Sequence, residues 1–111
     1  MAYENSVAVA GNLTRDPETK EVADGTVTTL GVAVDHRNPR VAADAQQEVS
    51  FFAVTAFGHL SKGAAGLRKG DRVVVVGRLK QGRWVADDGA NRSSVEIVAE
   101  DIGRSVLFDG A

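Results

Sequence analysis

Basic and aromatic side chains are interleaved in the second half of this 111-residue chain. Arg78, Lys80 and Arg83 come just before Trp84, the single tryptophan. A groove that holds a flexible nucleic-acid strand combines cations, which bind phosphates, with aromatic rings, on which bases stack. The spacing therefore favours binding of a nucleic-acid strand.

The charges are unevenly distributed, although the whole chain carries a net charge of only −2. Residues 62 to 92 include eight basic and three acidic side chains. Such a local excess of positive charge is typical of a nucleic-acid surface. The alternative is a solvated strand edge, where Lys and Arg prevent aggregation, and charge alone leaves both interpretations open.

Residues that could support catalysis are sparse. His36 and His59 are far apart in the sequence, and Asp87-Asp88 next to Gly89 is typical of a hairpin turn. The chain has no cysteine, which excludes disulfides, thiolate metal sites and a cysteine nucleophile. It also has no phosphate-binding Gly-Lys-Ser/Thr loop. We therefore expect a binding protein that is not an enzyme and has no metal site and no cofactor.

The composition indicates an all-β domain, because the chain has 17 valines and its 12 glycines are spread along it. A polar loop is expected at Thr14–Glu21, a turn at Asp24-Gly25 and a short helix at His59–Arg68. Period-2 alternation and β-branched runs predict five strands: Ser6–Leu13, Thr26–Val34, Glu48–Phe57, Arg72–Gln81 and Arg92–Val98.

This order of elements is that of the five-stranded Greek-key OB-fold barrel, a fold that commonly binds oligonucleotides or oligosaccharides. The sequence thus predicts such a barrel with one short helix between strands three and four. The length corresponds to one domain, which we expect to span residues 1–111.

Alternation within the third predicted strand separates its aromatic residues. Phe52, with Val54 and Ala56, falls on the more apolar side, which should face the core. Phe51 and Phe57 fall on the opposite, more exposed side. The alternative is that these two rings and Trp84 all belong to the core.

Targeting and membrane signals are absent from the sequence. The N-terminus lacks a basic segment followed by an apolar run, as a signal peptide would have. The longest fully apolar run, Val73–Val76, is far shorter than the ~20 residues of a membrane span. We expect a cytoplasmic protein that does not bind membranes.

Three stretches resemble the DNA-binding domain of bacterial single-stranded DNA-binding proteins. They are Val9–Glu18, Phe51–Leu60 and Leu67–Lys80, the last followed by Trp84. The resemblance covers about residues 5 to 107, and the third stretch is similar to actinobacterial and actinophage members. It implies an OB fold that binds and protects single-stranded DNA without sequence preference during replication, recombination and repair. It also implies a homo-oligomer, usually a tetramer, with a dimer as the alternative.

The resemblance also implies which residues bind DNA. By this resemblance the base-stacking rings would be Phe51, Phe57 and Trp84. The phosphate-binding side chains would be Lys69, Lys80 and Arg83, together with Arg68 and Arg78.

Two departures from the family pattern stand out. The loop after the second predicted strand has no aromatic residue at His36–Asn38, where the family has a further stacking tryptophan. Arg37 or Arg40 could replace it in part, through stacking of the guanidinium group or contact with a phosphate. The chain also ends at Leu107–Ala111 without the acidic tip that recruits replication proteins, so we expect no tail-mediated partners. The missing loop aromatic and the net charge of −2 favour one alternative function, an OB-fold protein-interaction or primosome-accessory module with weakened DNA binding.

Overall fold

A computed structural model describes residues 4–36 and 48–107. Six strands and one helix follow each other along the chain: β1 (Val7–Leu13), β2 (Glu18–Val22), β3 (Gly25–Asp35), β4 (Val49–Phe57), α1 (Gly58–Ala64), β5 (Arg72–Val85) and β6 (Asn91–Arg104).

Five of these strands form a closed barrel. The hydrogen-bonded order is β1-β5-β6-β4-β3-β2, and β1 also pairs with β3. Because β1 pairs with β5 along its length and with β3 at Asn12 and Leu13, the sheet closes on itself. The predicted five-stranded OB-fold barrel with its short helix is therefore confirmed, and β2 is a sixth strand outside the closed part.

Strand β2 corrects the predicted loop at Thr14–Glu21. All five of its residues are exposed, so it has none of the apolar alternation that reveals a half-buried strand. It forms because a tight turn at Ala23-Asp24 folds it onto β3, with Val22 paired to Gly25. Gly25 has a φ of 131°, which explains why glycine ends this turn.

Three other predicted boundaries were wrong. The helix ends at Ala64 and does not reach Arg68, since the chain turns at Gly66, whose N–H bonds to the carbonyl of Gly63. Strand β5 reaches Val85 because its outer end pairs with β6 in a hairpin beyond the barrel, and β6 reaches Arg104 because its end pairs with residues 73–77 of β5. Backbone pairing of this kind is independent of the apolar pattern on which sequence prediction depends.

The core lies inside the barrel and consists of aliphatic side chains from every barrel strand. Leu30, Val32 and Val54 are fully buried, as are Val73, Val75 and Ile97. Helix α1 covers one end of the barrel through a buried hydroxyl pair: Thr28 Oγ1 lies 2.6 Å from Ser61 Oγ and donates to the Ser61 carbonyl at 2.9 Å. These bonds satisfy polar groups that would destabilise the fold if buried alone.

Within the described ranges, no helix has the length and hydrophobicity needed to cross a membrane.

Glycines permit the closest backbone approaches of the barrel. A Cβ at Gly77 would lie 2.1 Å from the carbonyl oxygen of Val98, and one at Gly11 would lie 2.1 Å from that of Ala33. Gly77 also lies at the register shift between β5 and β6. No side chain larger than hydrogen fits at either place without movement of the backbone.

We expect Gly77→Ala to lower the free energy of unfolding by about 1–3 kcal/mol, since the barrel must widen to admit the methyl group. Urea unfolding followed by circular dichroism measures the change. Gly103→Ala is the matched control, because a Cβ there meets nothing within 4 Å on a paired strand. Equal losses in the two variants would contradict the close-approach explanation.

Candidate nucleic-acid interface

The pairing register brings residues of β4, β6 and β5 onto one outer surface of the barrel. Val54 and Ala56 are fully buried, so the residues that alternate with them on β4 point outward. Ala53 pairs with Glu96 of β6, and Glu96 pairs with Lys80 of β5. We call this surface the outer face; it comprises Phe51, Ala53, Thr55, Phe57, Arg78, Lys80, Trp84, Arg92 and Glu96.

Three aromatic rings of the outer face are open to solvent. Phe51 is 72% exposed, Phe57 is 53% exposed and Trp84 is 49% exposed. The outward orientation predicted for Phe51 and Phe57 is confirmed, and the alternative that all three rings belong to the core is wrong. Phe52, by contrast, packs against the core as expected.

The three rings are spread along the face. Phe57 and Phe51 stand six residues apart on β4, which corresponds to about 20 Å. Trp84 lies on β5, two strands away from β4. It pairs with Arg92 of β6, which places it about two residues farther along the strand direction than Phe51. Rings separated in this way suit an extended strand whose successive bases are not stacked on each other.

Two of the predicted phosphate-binding side chains lie on the outer face. Arg78 pairs with Val98 and Lys80 with Glu96, so both project on the same side of β5 as Trp84. Arg83 alternates with Trp84 and lies on the opposite side of the hairpin, where its Nη2 donates to Gln81 Oε1 at 3.3 Å. The structure therefore brings Lys80 and Arg78 together with the rings and separates Arg83 from them.

Arg68 and Lys69 lie in the loop between α1 and β5, away from the strands of the outer face. The N–H of Lys69 donates to Asp16 Oδ1 at 2.8 Å, and the N–H of Arg68 donates to Asp71 Oδ2 at 2.8 Å. Both side chains are exposed. Asp16 thus holds this loop against the loop between β1 and β2.

Arg37 and Arg40 lie outside the described residues. The neighbouring His36 ends the described part of this segment, with its Nε2 2.6 Å from Ser50 Oγ.

Sequence reasoning missed two cations beside the rings. Lys20 of β2 pairs with Val27, which pairs with Phe57, so Lys20 extends the outer face past that ring. The Asp24-Gly25 turn was the available signal, because it predicts a hairpin and thereby a strand that contains Lys20. Arg15 lies above Gly31 of β3: a Cβ on Gly31 would be 3.7 Å from Arg15 Nη1.

One carboxylate interrupts this cationic surface. Glu96 lies between Ala53 and Lys80 by register, and its Oε2 accepts a hydrogen bond from Thr55 Oγ1 at 2.8 Å. The carboxylate repels phosphates. The backbone of a nucleic acid is therefore favoured along the cations on either side of Glu96, with the bases directed toward the middle of the outer face.

Among residues 4–36 and 48–107, no group of three or more His, Asp or Glu side chains is arranged to hold a metal ion.

Comparison with known proteins explains this combination of barrel, rings and cations. The model of the single-strand binding protein family matches residues 4–105. The chain belongs to the single-strand binding protein family. It is therefore a member of a family of binding proteins, not enzymes.

Individual relatives agree with this assignment. A single-stranded DNA-binding protein of Thermotoga maritima is 39% identical over 101 residues, which cover 89% of this chain and 72% of the relative. One from Thermus thermophilus is 40% identical over 96 residues, or 86% of this chain, but only 35% of the relative. This chain thus spans about a third of the Thermus protein.

A solved structure has the same fold. The crystal structure of the small single-stranded DNA-binding protein from Streptomyces coelicolor superposes with a TM-score of 0.79 and 30% sequence identity. The match covers 97% of this chain and all of the other. The resemblance to actinobacterial single-strand binding proteins is confirmed.

Because Phe51 is mostly exposed, we expect Phe51→Ala to change the free energy of unfolding by less than about 0.5 kcal/mol. Leu30→Ala, at a fully buried position, should lower it by about 2–5 kcal/mol. Chemical denaturation of the two variants measures the contrast. A large loss for Phe51→Ala would mean that this ring stabilises the fold and is not an open surface.

Proposed function

We propose that this chain binds and protects single-stranded DNA, without sequence preference, during replication, recombination and repair. The observation that carries the proposal is the outer face, where three exposed rings lie beside Arg78 and Lys80 in a member of the single-strand binding protein family. We further propose that one OB-fold domain suffices for this activity and that it takes place in the cytoplasm.

The two kinds of side chain act on different parts of the DNA. Phe51, Phe57 and Trp84 stack on bases, at about 1–3 kcal/mol per base, and every base has a face that can stack. Lys80 and Arg78 bind phosphates and release counterions, so affinity falls as salt rises. Bases paired inside a duplex cannot reach the rings, so we expect a preference for single strands.

Titration with oligo-dT should quench the fluorescence of Trp84, because the indole is half-exposed on the outer face and stacks on a base. Duplex DNA of equal length should quench it weakly, and added salt should weaken the binding of oligo-dT. If neither quenching nor a mobility shift occurs, the proposal fails. The alternative, a protein-interaction or primosome-accessory module, would then be favoured.

The same titration tests the phosphate contacts. Lys80→Ala should weaken binding and lower the slope of log affinity against log salt by about 0.7, the value for one contact to a single strand. Lys62→Ala is the matched control, because this exposed lysine lies on the helix at the end of the barrel. Identical behaviour of the two variants would argue against a specific contact at Lys80.

We also propose that the protein forms a homo-oligomer, a tetramer or a stable dimer. Among the described strands, residues 7–11 of β1 pair only with β5, since β3 pairs with Asn12 and Leu13. Beside this edge, Val74 and Val76 of β5 are exposed, opposite Ala10 and Ala8. An unpaired strand edge next to exposed aliphatic side chains suits pairing with a second copy.

Light scattering after size exclusion should give a mass two or four times the 11.7 kDa of one chain. Val76→Asp should lower this mass, because a charge would be buried in the interface. Val106→Asp places the same charge at an exposed valine outside the strands and should leave the mass unchanged. A monomeric wild-type protein would refute the proposed assembly.

A further inference from the structure

A trough crosses β3 and β4 on the outer face, between Arg15 and Phe51. It is an open cavity of about 410 Å³, a volume within the range of small-ligand sites. Gly31 and Ala53, which pair with each other, present the smallest side chains of its floor. The aromatic wall, Phe51, is the most exposed of the three rings of the outer face.

The opposite wall is the exposed side chain of Arg15. Within the described part of the chain, no hydrogen bond or ion pair holds its guanidinium group. The loop that carries Arg15 is nevertheless fixed at both sides: the N–H of Thr14 donates to the Gly31 carbonyl at 2.9 Å, and Asp16 accepts from the N–H of Lys69. A fixed loop with an unengaged guanidinium is suited to bind an external anion.

Small floor residues keep this arrangement open. A Cβ on Gly31 would lie 2.5 Å from Thr14 Oγ1, so a larger residue there would crowd the side chain of Thr14 next to Arg15. Ala53 leaves the floor low beside Phe51, which lets a flat base approach the ring from the side of the trough. Glu96 adjoins Ala53 on β6 and repels phosphate, so the phosphate is favoured at the Arg15 end.

From this geometry we propose that Arg15 and Phe51 form one nucleotide subsite. The base stacks on Phe51 over the floor of Gly31 and Ala53, and Arg15 binds the phosphate of the same nucleotide. The proposal rests on the proposed function and adds to it a DNA-binding residue that neither charge clustering nor the family resemblance indicated. Because the contacts are a ring face and a phosphate, the subsite accepts any base.

A double-mutant cycle tests whether the two residues hold one nucleotide. Dissociation constants for fluorescein-labelled oligo-dT are measured by anisotropy for Phe51→Ala, Arg15→Ala and the double variant. Each single variant should raise the dissociation constant about threefold or more. The double variant should raise the dissociation constant by clearly less than the product of the two single-variant increases, since the first substitution already releases the shared nucleotide.

Trp84 provides the matched control, because it lies on the far hairpin beyond the subsite. The increases in the dissociation constant caused by Arg15→Ala and by Trp84→Ala should multiply in the double variant, as expected for independent contacts. Multiplicative effects for both pairs, or no effect of Arg15→Ala, would overturn the shared subsite. Equal coupling in both pairs would also overturn it, because the coupling would then be global.

A second variant fills the trough without changing charge. Ala53→Leu should weaken oligo-dT binding about threefold or more, because the added side chain occupies the space of the base. Ala65→Leu makes the same substitution at an exposed position after the helix and should have no effect. If wild-type protein does not bind oligo-dT at all, the proposed function fails; if it binds and Ala53→Leu binds equally well, only the subsite fails.

Discussion

The outer face depends on one short parallel pairing between β4 and β6. It joins Ala53, Val54 and Thr55 to residues 96–98, and in doing so it links the sheet that carries the phenylalanines to the hairpin that carries the tryptophan. Thr55 Oγ1 donates to Glu96 across this same junction, so a side-chain bond supports the backbone ladder. Parallel neighbours need a long connection, which here contains the helix and all of β5. Without this pairing, the phenylalanines would belong to one surface, and Trp84 with Arg78 and Lys80 would belong to another.

Much of the fold could be predicted because the barrel strands carry strong local signals. The four consecutive valines of β5 and the alternation in β4 revealed buried strands directly. Strand β2, residues 82–85 of β5 and residues 99–104 of β6 escaped because they are fully or mostly exposed and are held by hydrogen bonds to a neighbour. A pattern of burial cannot reveal a strand that buries nothing.

The site was predictable to the extent that it depends on alternation within one strand. Period 2 placed Phe51 and Phe57 outward without knowledge of the neighbours. The same rule separates Arg83 from Trp84, but sequence clustering grouped them, since it counts charges without assigning faces. Arg15 was invisible because only the three-dimensional path of the loop brings it above Gly31.

The hairpin of β5 and β6 extends past the barrel as a two-stranded ribbon, from about residue 81 to residue 95, with no third described strand paired to it. Ribbons of two strands are only marginally stable in water, so this part can open locally while the barrel remains closed. Bound DNA would order the ribbon, and part of the binding energy would be used to offset the lost conformational entropy. The tryptophan end of the face would thus adjust to the path of a bound DNA strand, whereas the phenylalanine end is held by the barrel.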